Sequence, residues 1–258
     1  MFFEIKSYLY FLLKSQNQHG LHSPFVYDLV TKCFYDKSYH QQYELIKNYR
    51  NDLLSNKNKI KVTDFGAGSR VFKSDVRPVF SIAKNAGITL FRAKLLFRIT
   101  NYLKIKDALE LGTSLGIASS AIAANQHTQL TTLEGCPETA NIARQQFQKY
   151  DLKSISLQVD QFENQLKDLV NTGRKFDLIY FDGNHQKKAT LDYFEQLLPT
   201  AHNDSVFIFD DIHWSAGMQG AWEEIKNHPK VKVTIDTFQW GLVFFRREQV
   251  KEHFTIRV

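Results

Sequence analysis

The stretch DALELGTSLGIASSA (107–121) decides how the rest of the chain is read. It opens on an apolar run, ALEL, turns through Gly112 and Gly116, and continues into small residues that suit a helix. That order predicts strand, tight turn, helix. Glycines at such a turn permit sharp bending and let backbone approach a ligand closely. The helix that follows begins with unsatisfied N–H groups. The spacing Gly112-Thr-Ser-Leu-Gly116 is not the dinucleotide fingerprint GxGxxG, and no Lys-Ser/Thr follows to make a Walker loop.

The next strand, LTTLE (130–134), ends in Glu134, 22 residues after Gly112. A carboxylate at that interval suits the two hydroxyls of a ribose held at the end of the neighbouring strand. Gly112, Gly116 and Glu134 together point to an adenosine-type ligand without a demand for pyrophosphate. The alternative is a plain βα turn beside an exposed acid.

Beyond these, strand-like runs recur at SISLQV (154–159), DLIYFD (177–182), SVFIFD (205–210), VKVTID (231–236) and GLVFF (241–245). Helical stretches at 115–124, 137–149, 161–171, 185–197 and 216–227 separate all but the last two. Alternating strands and helices of this length mean βαβ units, and nearly continuous apolar strands mean a sheet covered on both faces. A hairpin around Gln239-Trp240 puts one antiparallel strand in the sheet. The expectation is an α/β, Rossmann-like fold with a seven-stranded, mostly parallel sheet. Residues 1–84 form a mainly helical accessory and lid region, with helix at 2–16 and mostly helix over 24–53, and residues 85–258 form the main domain. The stretch 81–103 predicts helix, a break near Gly87, and a second helix.

Composition narrows the class. Only 5 Pro and 12 Gly in 258 residues argue against a disordered chain. The two cysteines, Cys33 and Cys136, make no disulfide framework and suggest a reducing, cytoplasmic setting. The opening MFFEIKSYLYFLLKS is broken by Glu4 and Lys6, too soon for a spanning helix, and lacks the order of a signal peptide. No integral membrane segment is therefore expected. Residues 1–106 carry a net +11 and residues 107–258 a net −5. The positive charges are scattered and no nucleic-acid motif accompanies them. Solvated surface is the first reading, an anionic ligand the second, and nucleic acid a distant third.

ELGTSLG, LEG and DLIYFDGNH together resemble the class I S-adenosylmethionine-dependent methyltransferases, over roughly residues 85–250. The resemblance implies S-adenosylmethionine as cofactor, with Gly112 and Gly116 beneath it and Glu134 on the ribose. It places Glu110 near the cofactor's amino-acid end and Asp160 against the adenine amino group, and counts Asp182 among the cofactor-binding residues. Asp160 reads equally as a surface cap.

DLIYFD and SVFIFD end in carboxylates, and the carboxyl ends of strands in an open α/β sheet share one crevice. Asp182, Asp210 and Asp211 are then expected close together, where they repel unless protonated or neutralised. Mg²⁺ would accept such oxygens; helix caps and solvated acids are the alternatives. DGNH followed by FDD is similar to the metal-dependent small-molecule O-methyltransferases of the macrolide-sugar and cephalosporin-hydroxylase-like branch. That resemblance implies Asp182, Asp210 and Asp211 as metal ligands and His185 as the base. His213 is a second candidate for catalysis, and Trp214 a candidate pocket wall. Lys three residues after the first Asp and Asp-Asn at the second site, which mark the catechol-type branch, are replaced by His185 and Asp211, against a catechol acceptor.

The implied activity is methyl transfer to a hydroxyl of a small molecule, Mg-assisted. The alternatives are a metal-independent N- or RNA methyltransferase, or an inactive binding protein. A homo-oligomer is compatible with the sequence. DFGAGSR (64–70) looks like a second glycine loop, but Glu134 falls at the wrong interval from it, so 110–116 is preferred. Gly66 and Gly68 then suit a pocket rim, with Arg70 and Arg77 able to meet an anionic group. His19 and His22 are read as helix-end packing.

Overall fold

The computed structural model of the chain describes residues 2–63, 65–66, 68 and 74–258. The role expected of Arg70, and most of the DFGAGSR loop, lie outside the described residues. In chain order the elements are α1 (Phe2–Lys14), α2 (Pro24–Leu29), α3 (Gln42–Ser55), β1 (Lys59–Lys61), β2 (Val76–Pro78), α4 (Val79–Asn85), α5 (Leu90–Tyr102), β3 (Asp107–Leu111), α6 (Ile117–Ala123), β4 (Gln129–Glu134), α7 (Pro137–Lys149), β5 (Ile155–Val159), α8 (Phe162–Asn171), β6 (Leu178–Phe181), α9 (Lys187–Leu197), β7 (Val206–Asp210), α10 (Ala216–Asn227), β8 (Val233–Asp236), β9 (Trp240–Phe244) and β10 (Glu252–Thr255). Strands and crossover helices alternate from β3 to α10. This is the α/β Rossmann-like methyltransferase fold with a mixed, mostly parallel sheet and an N-terminal helical region. The break expected near Gly87 separates α4 from α5.

The chain divides into two compact units, a terminal one (1–35 with 166–258) and a central one (36–165). In the central unit β3, β4 and β5 run parallel, with Leu111 opposite Leu133 and Glu134 opposite Val159. This register sets the end of β4 level with the turn that follows β3. α6 is buried all round, because its residues IASSAIA are small enough to pack closely on every side. α5 is capped by the Thr89 hydroxyl, which accepts from the Arg92 N–H at 3.3 Å, a type of cap contributing about 1 kcal/mol.

In the terminal unit β6 and β7 are parallel, β9 runs antiparallel to both β7 and β8, and β10 lies parallel to β8. The β8–β9 hairpin is the one the sequence predicts; Phe238, in its turn, has φ 73°. β10 is a strand beyond the expected seven. Its end is tied to the chain's opening: the Gln16 N–H, just past the end of α1, donates to the Thr255 carbonyl at 2.8 Å. β6, β7 and β9 are buried along their whole length, as strands covered on both faces must be. Phe181 stacks on Phe209 at 4.2 Å between centroids, and the Phe194 ring meets both Phe207 and Phe209 edge-on. Each buried ring of this kind contributes roughly 1.5–3 kcal/mol.

Candidate functional site

The turn after β3 is shaped by left-handed residues. Gly112 has φ 99° and Gly116, which caps α6, has φ 78°. Gly116 also has no room for a side chain: a Cβ there would lie 2.5 Å from Tyr49 Oη and 2.6 Å from the Phe147 ring. Tyr49 reaches the turn because its hydroxyl donates to the Leu115 carbonyl at 2.9 Å. The turn is held to β4 as well, since the Gly112 and Thr113 N–H groups both donate to the Leu133 carbonyl, at 2.9 and 3.1 Å.

Ser114 is left-handed without being glycine, with φ 49°. Its N–H donates to Glu134 Oε2 at 2.6 Å, which offsets the cost of about 1 kcal/mol for that conformation. Glu134 Oε1 accepts the Cys136 N–H at 2.8 Å. A carboxylate offers roughly four acceptor positions. With both oxygens steadied by backbone, positions remain for two hydroxyls. Burial raises the Glu134 pKa, opposed by the hydrogen bonds from Cys136 and Ser114.

Glu110 is fully buried on β3. Its Oε2 accepts from the hydroxyls of Ser119 and, at 2.5 Å, Thr132. Thr132 in turn shares a 2.6 Å hydrogen bond with Thr113, so the acid is wired to the turn. Oε1 is buried without a hydrogen-bond partner among the described residues. Burial pushes the carboxyl up to about 7, against the two hydroxyl hydrogen bonds and with help from the charge of Glu134. Asp160 sits beside Glu134, its N–H on the Glu134 carbonyl at 3.1 Å. Its exposed carboxylate accepts from the Gln161 N–H at 2.6 Å and from Asn164 at 3.4 Å, the local bonding of a cap.

The terminal unit holds the other candidates. Asp182 follows β6 and lies 3.8 Å from His185 Nε2, within ion-pair range but beyond a hydrogen bond. His185 is partly exposed and its ring stands 6.0 Å from that of Trp214. Asp210 closes β7, buried, opposite Trp240. Asp211 turns the chain with φ 55°, and its carbonyl accepts the Trp214 N–H at 2.9 Å. Ser215 then caps α10 through the Met218 N–H at 3.1 Å.

His213 is buried. Its Nε2 pairs with Asp236 Oδ2 at 2.8 Å, and its ring stacks on Phe238 at 5.3 Å. Tyr8 and Phe11 of α1 pack on the same Phe238 ring. His213 Nδ1 has no hydrogen-bond partner among the described residues. Among the described residues no three His, Cys, Asp or Glu side chains gather as ligands of a metal would. The expected convergence of Asp182, Asp210 and Asp211 is therefore not formed as a three-ligand set.

Sequence reasoning missed Asp236, Tyr49 and the Ser119–Thr132 pair. Tyr49 carries no local signal. Ser119 and Thr132 are polar residues inside otherwise apolar elements, a signal that they serve a buried partner.

Comparison with known proteins fits this geometry. Residues 109–212 match a family model described as a methyltransferase domain. No curated protein matches the sequence. Among solved structures, the chain is similar to the S-adenosylhomocysteine-bound methyltransferase PaMTH1 of Podospora anserina (TM-score 0.60, 14% identity, 88% of this chain and 97% of that one). It is also similar to TomG of Streptomyces achromogenes, an O-methyltransferase involved in tomaymycin synthesis, in complex with S-adenosylmethionine (0.58, 16%, 84% and 95%). An O-methyltransferase from Bacillus cereus with bound S-adenosylhomocysteine gives 0.55, 16%, 83% and 95%. At these identities the likeness is one of fold. No helix among the described residues is long and apolar enough to cross a membrane.

Proposed function

We propose that the chain transfers a methyl group from S-adenosylmethionine to a hydroxyl oxygen of a small molecule. The observation that carries this reading is Glu134, whose carboxylate is fixed by one N–H from the glycine turn and one from its own strand end. That arrangement suits a ribose diol and leaves the turn free to lie under the rest of an adenosyl group. The glycine-shaped turn fits a ligand approached by backbone rather than by side chains. Structural relatives described as O-methyltransferases support oxygen as the acceptor.

S-Adenosylmethionine supplies, when bound, an electrophilic methyl group on a sulfonium sulfur. The chain's part is to orient and to take a proton. Glu134 and the Gly112–Gly116 turn fix the adenosyl group. His185 is the assigned proton acceptor, partly exposed and 3.8 Å from Asp182. The acceptor oxygen forms a bond to the methyl carbon, the carbon–sulfur bond breaks, and the hydroxyl proton leaves to His185. Positioning supplies most of such an acceleration.

Mg²⁺ assistance is implied by the DGNH and FDD motifs. Asp182, Asp210 and Asp211 do not form a three-ligand group among the described residues. The test is S-adenosylhomocysteine formation from S-adenosylmethionine with a panel of sugar, polyketide and phenolic alcohols, with Mg²⁺ and with EDTA. Turnover on a hydroxylated acceptor supports the reading, and the EDTA arm decides the role of a cation. Turnover only on amines or RNA contradicts oxygen transfer.

A further inference from the structure

We propose that Phe65 forms an aromatic wall for the adenine ring of the cofactor, a step that rests on the adenosyl reading above. Phe65 is brought to the central unit's site by the β1–β2 hairpin. That hairpin closes through the Val62 N–H on the Asp75 carbonyl at 2.8 Å. It is pinned beside Glu134 by the Thr63 N–H on Cys136 Sγ at 3.3 Å. From there the Phe65 ring lies against Gly135: a Cβ at that position would stand 2.8 and 3.1 Å from Phe65 Cδ2 and Cε2. Glycine next to Glu134 is thus what admits the ring. Yet Phe65 remains 50% exposed. A large apolar ring brought to a defined place and left half in water forgoes the stabilisation that a ligand face can restore.

The direction of the ligand follows from Glu134. Its Oε2 faces the glycine turn through Ser114, and its Oε1 faces Cys136. A diol held by both oxygens lies along that axis. The two ring carbons that flank a ribose diol carry the base on one side and the 5′ chain on the other. The 5′ chain belongs with the turn, so the base belongs with Gly135, Cys136 and the Phe65 ring. Asp160, hydrogen-bonded to the Glu134 carbonyl, stands on that side as well. An aromatic face there would stack on a purine, and stacking of this kind is worth about 1–3 kcal/mol per base.

The test is calorimetric binding of S-adenosylhomocysteine to wild type, Phe65→Ala and Phe65→Trp, each checked by thermal melting. S-ribosylhomocysteine, which keeps the diol and 5′ chain but lacks the base, is measured in parallel by competition. Phe65→Ala should weaken S-adenosylhomocysteine roughly 5- to 150-fold and leave S-ribosylhomocysteine unchanged, and Phe65→Trp should restore binding. Unchanged S-adenosylhomocysteine affinity in Phe65→Ala, or equal weakening of both ligands, overturns the proposal. A folded wild type that binds no S-adenosylhomocysteine fails at the earlier step, and removes the adenosyl reading together with this one.

Discussion

The glycine-turn region (107–136) and the acidic and histidine region (181–214) hold their candidate residues in different ways. In the first, the residues nearest the turn are steadied by backbone: Glu134 takes two N–H groups and Gly116 is fitted between Tyr49 and Phe147, while the buried Glu110 behind them takes the Ser119 and Thr132 hydroxyls. In the second, side chains pair with side chains, His213 with Asp236 and His185 with Asp182. Backbone geometry is fixed by glycines and strand ends, and it survives when the side chains around it change. Side-chain pairing is chosen residue by residue. On the proposed function, the cofactor grip belongs to the first kind and the acceptor chemistry to the second.

The largest expected effect tests the rigidity of the first region. Gly116→Ala combines a left-handed φ with contact on Tyr49 and Phe147, and should cost about 3 kcal/mol or more in a urea melt. Little or no loss would mean that the turn is softer than its geometry. In the second region, His185→Ala should lower kcat by about 100-fold or more at unchanged S-adenosylmethionine affinity. An equal loss of affinity would join the two regions functionally and blur the contrast.

Asp236→Asn probes the other histidine pair. It removes the acid from buried His213 and should destabilise the protein by about 1–3 kcal/mol. If kcat falls far more than stability, His213 rather than His185 is the group that handles the acceptor.

The last test concerns pH. The folded-state pKa of Glu110 is raised to about 7 by burial, so the folded state keeps a proton that the unfolded state releases near 4.5. Its contribution is therefore greatest below the unfolded value, declines as pH rises, and levels off once pH passes about 7. Glu110→Gln should flatten that part of a stability-versus-pH curve. An unchanged slope would show that Glu110 is ionised in the fold.

Much of the first region could be read from residues alone. The apolar run ALEL, the two glycines and the interval to Glu134 are local signals, and strand, turn and helix follow them. The β8–β9 hairpin was legible for the same reason. β10 was not, because EHFT is short, largely unburied and polar everywhere but Phe254, and it pairs with β8 rather than with β9, the strand just before it. The His213–Asp236 pair spans 23 residues and a helix, which no local pattern encodes. Asp182, Asp210 and Asp211 sit at strand ends as expected. How their side chains are placed, however, depends on rotamers and turns, including the left-handed Asp211, that spacing does not specify.

The most direct test is calorimetric titration of S-adenosylmethionine into the wild-type chain and Glu134→Ala. The account predicts binding at a single site in the wild type and a weakening of about 100-fold in the variant, with the fold intact. Equal affinity in the two proteins, or a folded wild type that binds no S-adenosylmethionine, would contradict it.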